Sequence, residues 1–230
     1  CLKAYITGLV APGGTGKSSL ALALGISVAS NNDILQLGVR QQANVLIINN
    51  EDSHDELERR IAGITTQFGI CTSSLEGTLF YASGYEAKFM LSETSEEGQR
   101  EAAFAGDLIQ RMLDNDIGLL IVDPFVTTHN APENDNTAMD QVMSIYRKIA
   151  AKTGAAIILI HHTRKLNESG SSAGNADIAR GASAFKDAAR VIATLTPMSK
   201  DEGKALKFDE QTRSRHFRLD FAKQNFSPAC

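Results

Sequence analysis

The stretch Ala11-Pro-Gly-Gly-Thr-Gly-Lys-Ser18 restricts the possible folds of this chain more than any other part of it. It lies between an apolar run, Tyr5-Ile-Thr-Gly-Leu-Val10, and a helix-forming run, Ser19-Leu-Ala-Leu-Ala-Leu24. A chain leaving a buried strand can turn sharply and aim successive backbone N–H groups at one anion only where Cβ atoms are missing, as at Gly13, Gly14 and Gly16. The helix that follows points the positive end of its dipole at the same anion. Gly13, Gly14, Thr15, Gly16, Lys17, Ser18 and Ser19 are therefore expected to cradle the phosphates of a nucleotide. Lys17 would neutralise the β- and γ-phosphates, and the Ser18 hydroxyl would enter a Mg²⁺ shell completed by water and phosphate oxygen. The pattern ordinarily opens with Gly. Here it opens with Ala11, at the strand exit, where a methyl group is a small burden.

Strands and helices then alternate. The sequence predicts a first strand over residues 3–10, a helix from 17 to about 30, and a loop or short hairpin over 34–43. Asn44-Val-Leu-Ile-Ile-Asn49 is a continuous apolar run of the kind buried on both faces of a sheet. Ser53 caps a helix over 55–62, and residues 78–82 form a short strand. A polar, acidic surface excursion follows, through Glu97. A helix over 97–116 carries Phe104, Leu108, Met112 and Leu113 on one side. Gly118-Leu-Leu-Ile-Val-Asp123 is a strand ended by Pro124; residues 127–136 form a loop and 137–152 a helix. Ala155-Ala-Ile-Ile-Leu-Ile160 is the most apolar strand and runs into His161-His162. Residues 163–179 are Gly/Ser/Asn-rich, 180–187 read as a helical turn, and 188–195 as a strand. The alternation over 215–222 predicts an antiparallel edge strand. The implied fold class is α/β: a mainly parallel twisted sheet, helices on both faces, and an antiparallel C-terminal edge.

Ligands of such sheets bind beyond the carboxyl ends of the strands. The phosphate loop, Glu51-Asp52, Asp123 and His161-His162 all lie at such ends. Phosphoryl transfer to water needs the phosphates and metal held, a water in line, and a group that senses the γ-phosphate. Asp123, the acidic end of a hydrophobic strand, suits Mg²⁺ through its water shell; the same residue could cap the next helix. Glu51 is placed to orient and deprotonate the attacking water, and equally to open the next helix. Two adjacent histidines on a strand face opposite ways, which leaves one of them at the nucleotide.

With 23 basic and 27 acidic residues the net charge is -4, which argues against coating nucleic acid by bulk charge but leaves room for a local basic channel. Cys1, Cys71 and Cys230 are too scattered for a disulfide framework or zinc site, so a reducing, cytoplasmic home is expected. No apolar run approaches the roughly 20 residues that span a bilayer, and no membrane association is expected. The chain starts at Cys1 rather than Met and reads as a fragment or processed product.

Ala11 to Ser18, Asn49-Asn-Glu-Asp52, Leu119 to Pro124, His161-His-Thr-Arg-Lys165, Ala179-Arg-Gly-Ala-Ser183 and Phe221-Ala-Lys-Gln-Asn225 together resemble the hexameric RecA-like ATPases, in order and over nearly the whole chain. Among these the likeness is nearest to the RepA-type plasmid and phage replicative helicases. That resemblance implies one RecA-like domain over residues 1–230, ATP hydrolysis between neighbouring subunits of a homo-oligomeric, hexameric ring, and Mg²⁺ as cofactor. It implies that Lys17 and Ser18 bind phosphate and Mg²⁺, that Glu51 is the catalytic carboxylate, that Asp123 is the second acidic motif, and that His162 senses the γ-phosphate. Arg190 is the leading candidate for an arginine finger reaching the neighbour's nucleotide, with Arg180 and Lys223 as competitors. Channel loops of such rings contact single-stranded DNA, here through residues 127–136 and 163–179, the second carrying Arg164 and Lys165. Neither loop has an aromatic after Phe125 for base stacking, and the first carries Glu133 and Asp135.

Three rival readings are distinguishable. A regulatory ATPase of the same fold would hydrolyse ATP to time an assembly without unwinding DNA. A small-molecule kinase would carry an arginine-rich lid, and no such cluster is present in the sequence. A nucleotide-binding interaction module would bind ATP without turnover.

Overall fold

Runs of Val, Ile and Leu with no polar alternation pair in parallel, and that pairing sets the architecture. The computed structural model describes residues 2–162 and 183–225. In chain order the elements are β1 (Ile6–Ala11), α1 (Lys17–Ser30), β2 (Asn44–Asn49), α2 (His54–Phe68), β3 (Leu79–Ser83), β4 (Ser92–Ser95), β5 (Gly98–Glu101), α3 (Ala103–Asp114), β6 (Ile117–Asp123), α4 (Asn136–Thr153), β7 (Ala156–His162), α5 (Ser183–Ala188), β8 (Val191–Pro197), α6 (Lys200–Ala205), α7 (Glu210–Arg213) and β9 (Phe217–Gln224). Seven strands form one sheet in the order β3-β2-β6-β7-β1-β8-β9. All neighbours are parallel except β8 and β9, so β9 is the expected antiparallel edge.

Successive residues of each strand bury on opposite faces. Val10, Ile48, Val122 and Leu159 pack with α3, α4 and α5. Leu9, Ile47, Ile121 and Ile160 pack with α1 and α2. Each such side chain contributes about 1.5–3 kcal/mol by leaving water. Gly25 lets α1 lie close to the sheet: a Cβ there would stand 3.1 Å from Ile47 and 3.3 Å from Ile121. Caps fix where the helices start. The Ser53 hydroxyl accepts from the Glu56 N–H, and the Asp135 carboxylate accepts from the N–H groups of Thr137 and Ala138.

The structure departs from the expectations in three places. The polar excursion after β3 contains an antiparallel hairpin, β4 and β5, which delays α3 to Ala103. Four-residue polar strands give no apolar periodicity; the hairpin is instead held by the Gln141 side chain, whose Oε1 accepts from the Gln99 N–H at 2.8 Å. In α3 the buried stripe is Ala105, Leu108, Ile109 and Met112, while Leu113 is 49% exposed. Leu113 follows Met112 by one residue and so lies about 100° around the helix from it. The short helices α6 and α7 were not anticipated, although Ser199 and Glu202 form a reciprocal capping box at the start of α6.

Candidate nucleotide site

Parallel register brings the polar clusters to one rim. Ala11, the last residue of β1, pairs with His162 of β7, and Asn49 of β2 pairs with Asp123 of β6. Alternation along the strands then turns Asn49, Asp123 and His162 to the α1 face. Asn50 and His161 fall on the other face.

The loop from Pro12 to Gly16 is built as its glycines require. Gly14 (φ 72°) and Gly16 (φ 79°) are left-handed, and nothing lies within 4 Å of a Cβ placed at Gly13, Gly14 or Gly16. The outer surface of the loop is thus open to an anion at the start of α1. Two side chains brace the loop from inside: the Thr15 hydroxyl and the Lys17 ammonium both donate to the Pro12 carbonyl, each at 2.8 Å. Lys17 Nζ also lies 3.3 Å from His162 Nδ1.

Burial dominates the electrostatics. Asp123 is 5% exposed, and desolvation pushes its pKa up to about 6; the Ser18 hydrogen bond and Lys17 pull it down, and Glu51 pushes it further up. Burial likewise holds the Lys17 ammonium below its usual range, against the opposing pull of Asp123 and Glu51. An anionic ligand adds the negative charge that Lys17 lacks. The hydroxyl of Ser18 beside the carboxylate of Asp123 is an all-oxygen donor pair suited to a hard divalent cation that keeps most of its water. Among the described residues, no three His, Cys, Asp or Glu side chains form a closed metal cage.

Glu51 is exposed on the rim at the end of β2. Its backbone is tied down by Asn49, whose motif the sequence shows without its role. Asn49 Oδ1 accepts from the N–H groups of Glu51 (2.8 Å) and Asp52 (2.7 Å), and Asn49 Nδ2 donates to Asp52 Oδ2 at 3.2 Å. Asp52 Oδ1 pairs with Arg60, which Glu56 also holds. Asn50, 4% exposed, donates its N–H to the Asp123 carbonyl and its carboxamide to Thr127 Oγ1, and accepts from the Phe89 N–H. An Asn at a strand exit followed by two acids is a legible Asx-turn signal.

The two histidines do face opposite ways. His162 meets Lys17, while His161 is fully buried, edge-on to Phe125 at 5.4 Å, with its Nε2 3.7 Å from Glu133. Glu133 and Asp135 of the acidic loop are therefore engaged, one toward His161 and the other in the α4 cap.

Arg190 lies elsewhere. Its N–H donates to the Ile6 carbonyl, and its guanidinium sits 5.9 Å from the Tyr5 ring centroid. Ile6 and Ala11 are five residue steps apart along β1, about 17 Å of strand, so Arg190 is at the opposite rim. Lys223, paired with Ile192, donates to the Lys186 carbonyl at 2.6 Å on the same side. Arg164, Lys165 and Arg180 fall outside the described residues.

A mainly parallel sheet with a glycine-rich loop, a buried lysine and a strand-end aspartate on one rim defines a RecA-like ATPase domain. The chain belongs to the AAA domain family, whose model matches residues 2–168. Its fold is similar to that of the flagellar accessory protein FlaH from Methanocaldococcus jannaschii. The match covers 97% of this chain and 80% of that one, with a TM-score of 0.57 and 14% identity. At that identity the likeness speaks for the fold alone. Among the described residues, no helix is long and apolar enough to cross a membrane.

Proposed function

We propose that this chain hydrolyses ATP at the interfaces of a homo-oligomeric ring and uses the cycle to move along single-stranded DNA, as its resemblance to RepA-type helicases implies. The observation that carries the hydrolytic part is the 3.3 Å approach of Lys17 Nζ to His162 Nδ1, which joins the phosphate loop to the end of the neighbouring strand. The loss of a γ-phosphate from Lys17 is felt at once by His162, the last described residue before Arg164 and Lys165.

In the reaction the phosphates lie on the N–H groups of the loop, and Lys17 neutralises charge on the β- and γ-oxygens. Glu51 accepts the proton of the water whose oxygen bonds to the γ-phosphorus as the bond to the bridging oxygen breaks. Ser18 and Asp123 would hold Mg²⁺, which supplies charge neutralisation on the phosphate oxygens. Arg190 would act from the neighbouring subunit. With Glu133 and Asp135 engaged internally, the loop after β6 opposes a phosphate backbone less than its sequence suggests.

One observation favours the regulatory ATPase, namely the net charge of -4. Steady-state hydrolysis with Mg²⁺, with and without single-stranded DNA, separates the two readings. Stimulation of several-fold, lost in Glu51→Gln, is the expected result. Hydrolysis indifferent to DNA transfers the assignment to the regulatory ATPase, and binding without turnover in the native chain overturns both.

A further inference from the structure

The sequence offers two consecutive acids at the end of β2, Glu51 and Asp52, and only one of them can serve as the base. Their separation is made by a third residue. Asn49 is 2% exposed, on the α1 face of the sheet, and paired with Asp123. Its carboxamide makes three hydrogen bonds with separate consequences. Oδ1 accepts from the Glu51 and Asp52 N–H groups, which closes a tight turn immediately after the strand and fixes the backbone that carries both acids. Nδ2 donates to Asp52 Oδ2, drawing that carboxylate back toward the strand, where its other oxygen meets Arg60 at 3.2 Å. Both oxygens of Asp52 are thereby engaged. Among the described residues the Glu51 carboxylate makes no hydrogen bond or ion pair, so with Asp52 drawn back onto Asn49 and Arg60 it is the acid left to face the nucleotide rim; Asp123 feels the charge of both acids, Lys17 that of Glu51.

We infer that Asn49 is a positioning residue, which selects Glu51 over Asp52 as the carboxylate that faces the attacking water. The inference rests on the catalytic reading of Glu51 given above. Positioning of this kind acts on turnover more than on binding, because the phosphates are held by the loop after β1 and not by the end of β2.

The test compares Asn49→Ala, Asn49→Ser, Asp52→Asn and Glu51→Gln in steady-state ATP hydrolysis with Mg²⁺. Nucleotide affinity is measured in parallel with a fluorescent ATP analogue, and amide hydrogen exchange is followed at residues 51 and 52. Asn49→Ala is expected to lower kcat by 10- to 100-fold with KM within about threefold, and to lose protection at the two amides. Asn49→Ser retains an oxygen able to accept from the N–H groups two and three residues on, and is expected to recover most of that loss. Asp52→Asn is expected to stay within a few-fold of the native rate. Four results overturn the inference while leaving Glu51 as the base: a native kcat in Asn49→Ala; a KM rise that accounts for the whole loss; failure of the Ser variant to recover any of it; and, should Asn49→Ala not fold, a folded Asn49→Ser with unprotected amides and a native rate. Glu51→Gln as active as the native chain overturns the catalytic reading beneath it.

Discussion

His161 and His162 are covalent neighbours with nothing else in common. One is fully buried against Phe125 and Phe185 on the α4 face; the other reaches Lys17 on the α1 face. The same division runs across the whole rim, with Asn49 and Asp123 on the α1 side and Asn50 and Phe125 on the other. A period of two makes it unavoidable: the strands deliver alternate residues to a phosphate site and to a packed core. The lesson is that the α1 face gathers buried charge around the phosphate loop, whereas the α4 face is filled mainly by apolar and aromatic side chains.

The largest loss on the α1 face is expected at Lys17. Its ammonium is buried, braced on Pro12, and held below its usual pKa by desolvation, so it gains most when a triphosphate arrives. Lys17→Ala is expected to lower ATP turnover by about 1,000-fold or more and to weaken nucleotide binding at least tenfold, read by steady-state hydrolysis and by fluorescence titration. His161→Ala should instead show its loss first in thermal unfolding. A Lys17→Ala chain with native turnover removes the phosphate loop from the mechanism.

The pH dependence of stability sharpens the same contrast, because the two faces titrate with opposite sign. Asp123 has its pKa raised to about 6, so the folded state holds its proton more tightly than the unfolded chain does. Stability from this group is present at low pH and falls as pH rises from about 4 through 6. His129, 5% exposed against Phe125, has its pKa lowered to about 4 by burial. Its contribution is present above about 6.5 and is lost as pH falls through 4. Asp123→Asn is therefore expected to stabilise the nucleotide-free chain at pH 7.5 by roughly 2–3 kcal/mol, an advantage that disappears near pH 4, while turnover is lost. His129→Leu should remove the acid limb over the same window, whatever its effect on the baseline. Denaturant unfolding at a series of pH values reads both. Parallel curves for Asp123→Asn and the native chain would mean that Asp123 is not strained by burial.

Most of this arrangement was legible in the sequence, because the parallel strands are long apolar runs and their polar ends announce themselves. The places of Lys17 and Asp123 at the rim and the opposite facing of the two histidines came from position alone. The β4–β5 hairpin did not, since its polar strands are fixed by Gln141, forty-two residues from Gln99. Asn49 and Asn50 ahead of two acids carry a turn signal but not its partners: each acts through a carboxamide that bonds to backbone. Which N–H it meets depends on a turn whose shape no hydrophobic pattern encodes.

Arg190 tests the one role that neither face of the rim can supply. Lying beside Tyr5 at the far end of β1, it is about 17 Å of strand from its own phosphate loop, so any contact with phosphate must be made across a subunit boundary. Arg190→Ala is expected to leave nucleotide binding within about twofold and to lower turnover about tenfold, the smallest effect here. Mixing decides the matter. An interface between an Arg190→Ala subunit and a Lys17→Ala subunit can pair an intact phosphate loop from the first with an intact arginine from the second, so a mixture of the two impaired chains should be more active than either alone. Recovery in the mixture establishes a shared site and a ring or dimer that builds it. A mixture no more active than its components, with Arg190→Ala alone at the native rate, reduces Arg190 to a cation stacked on Tyr5 and returns the question of the finger to the remaining basic residues.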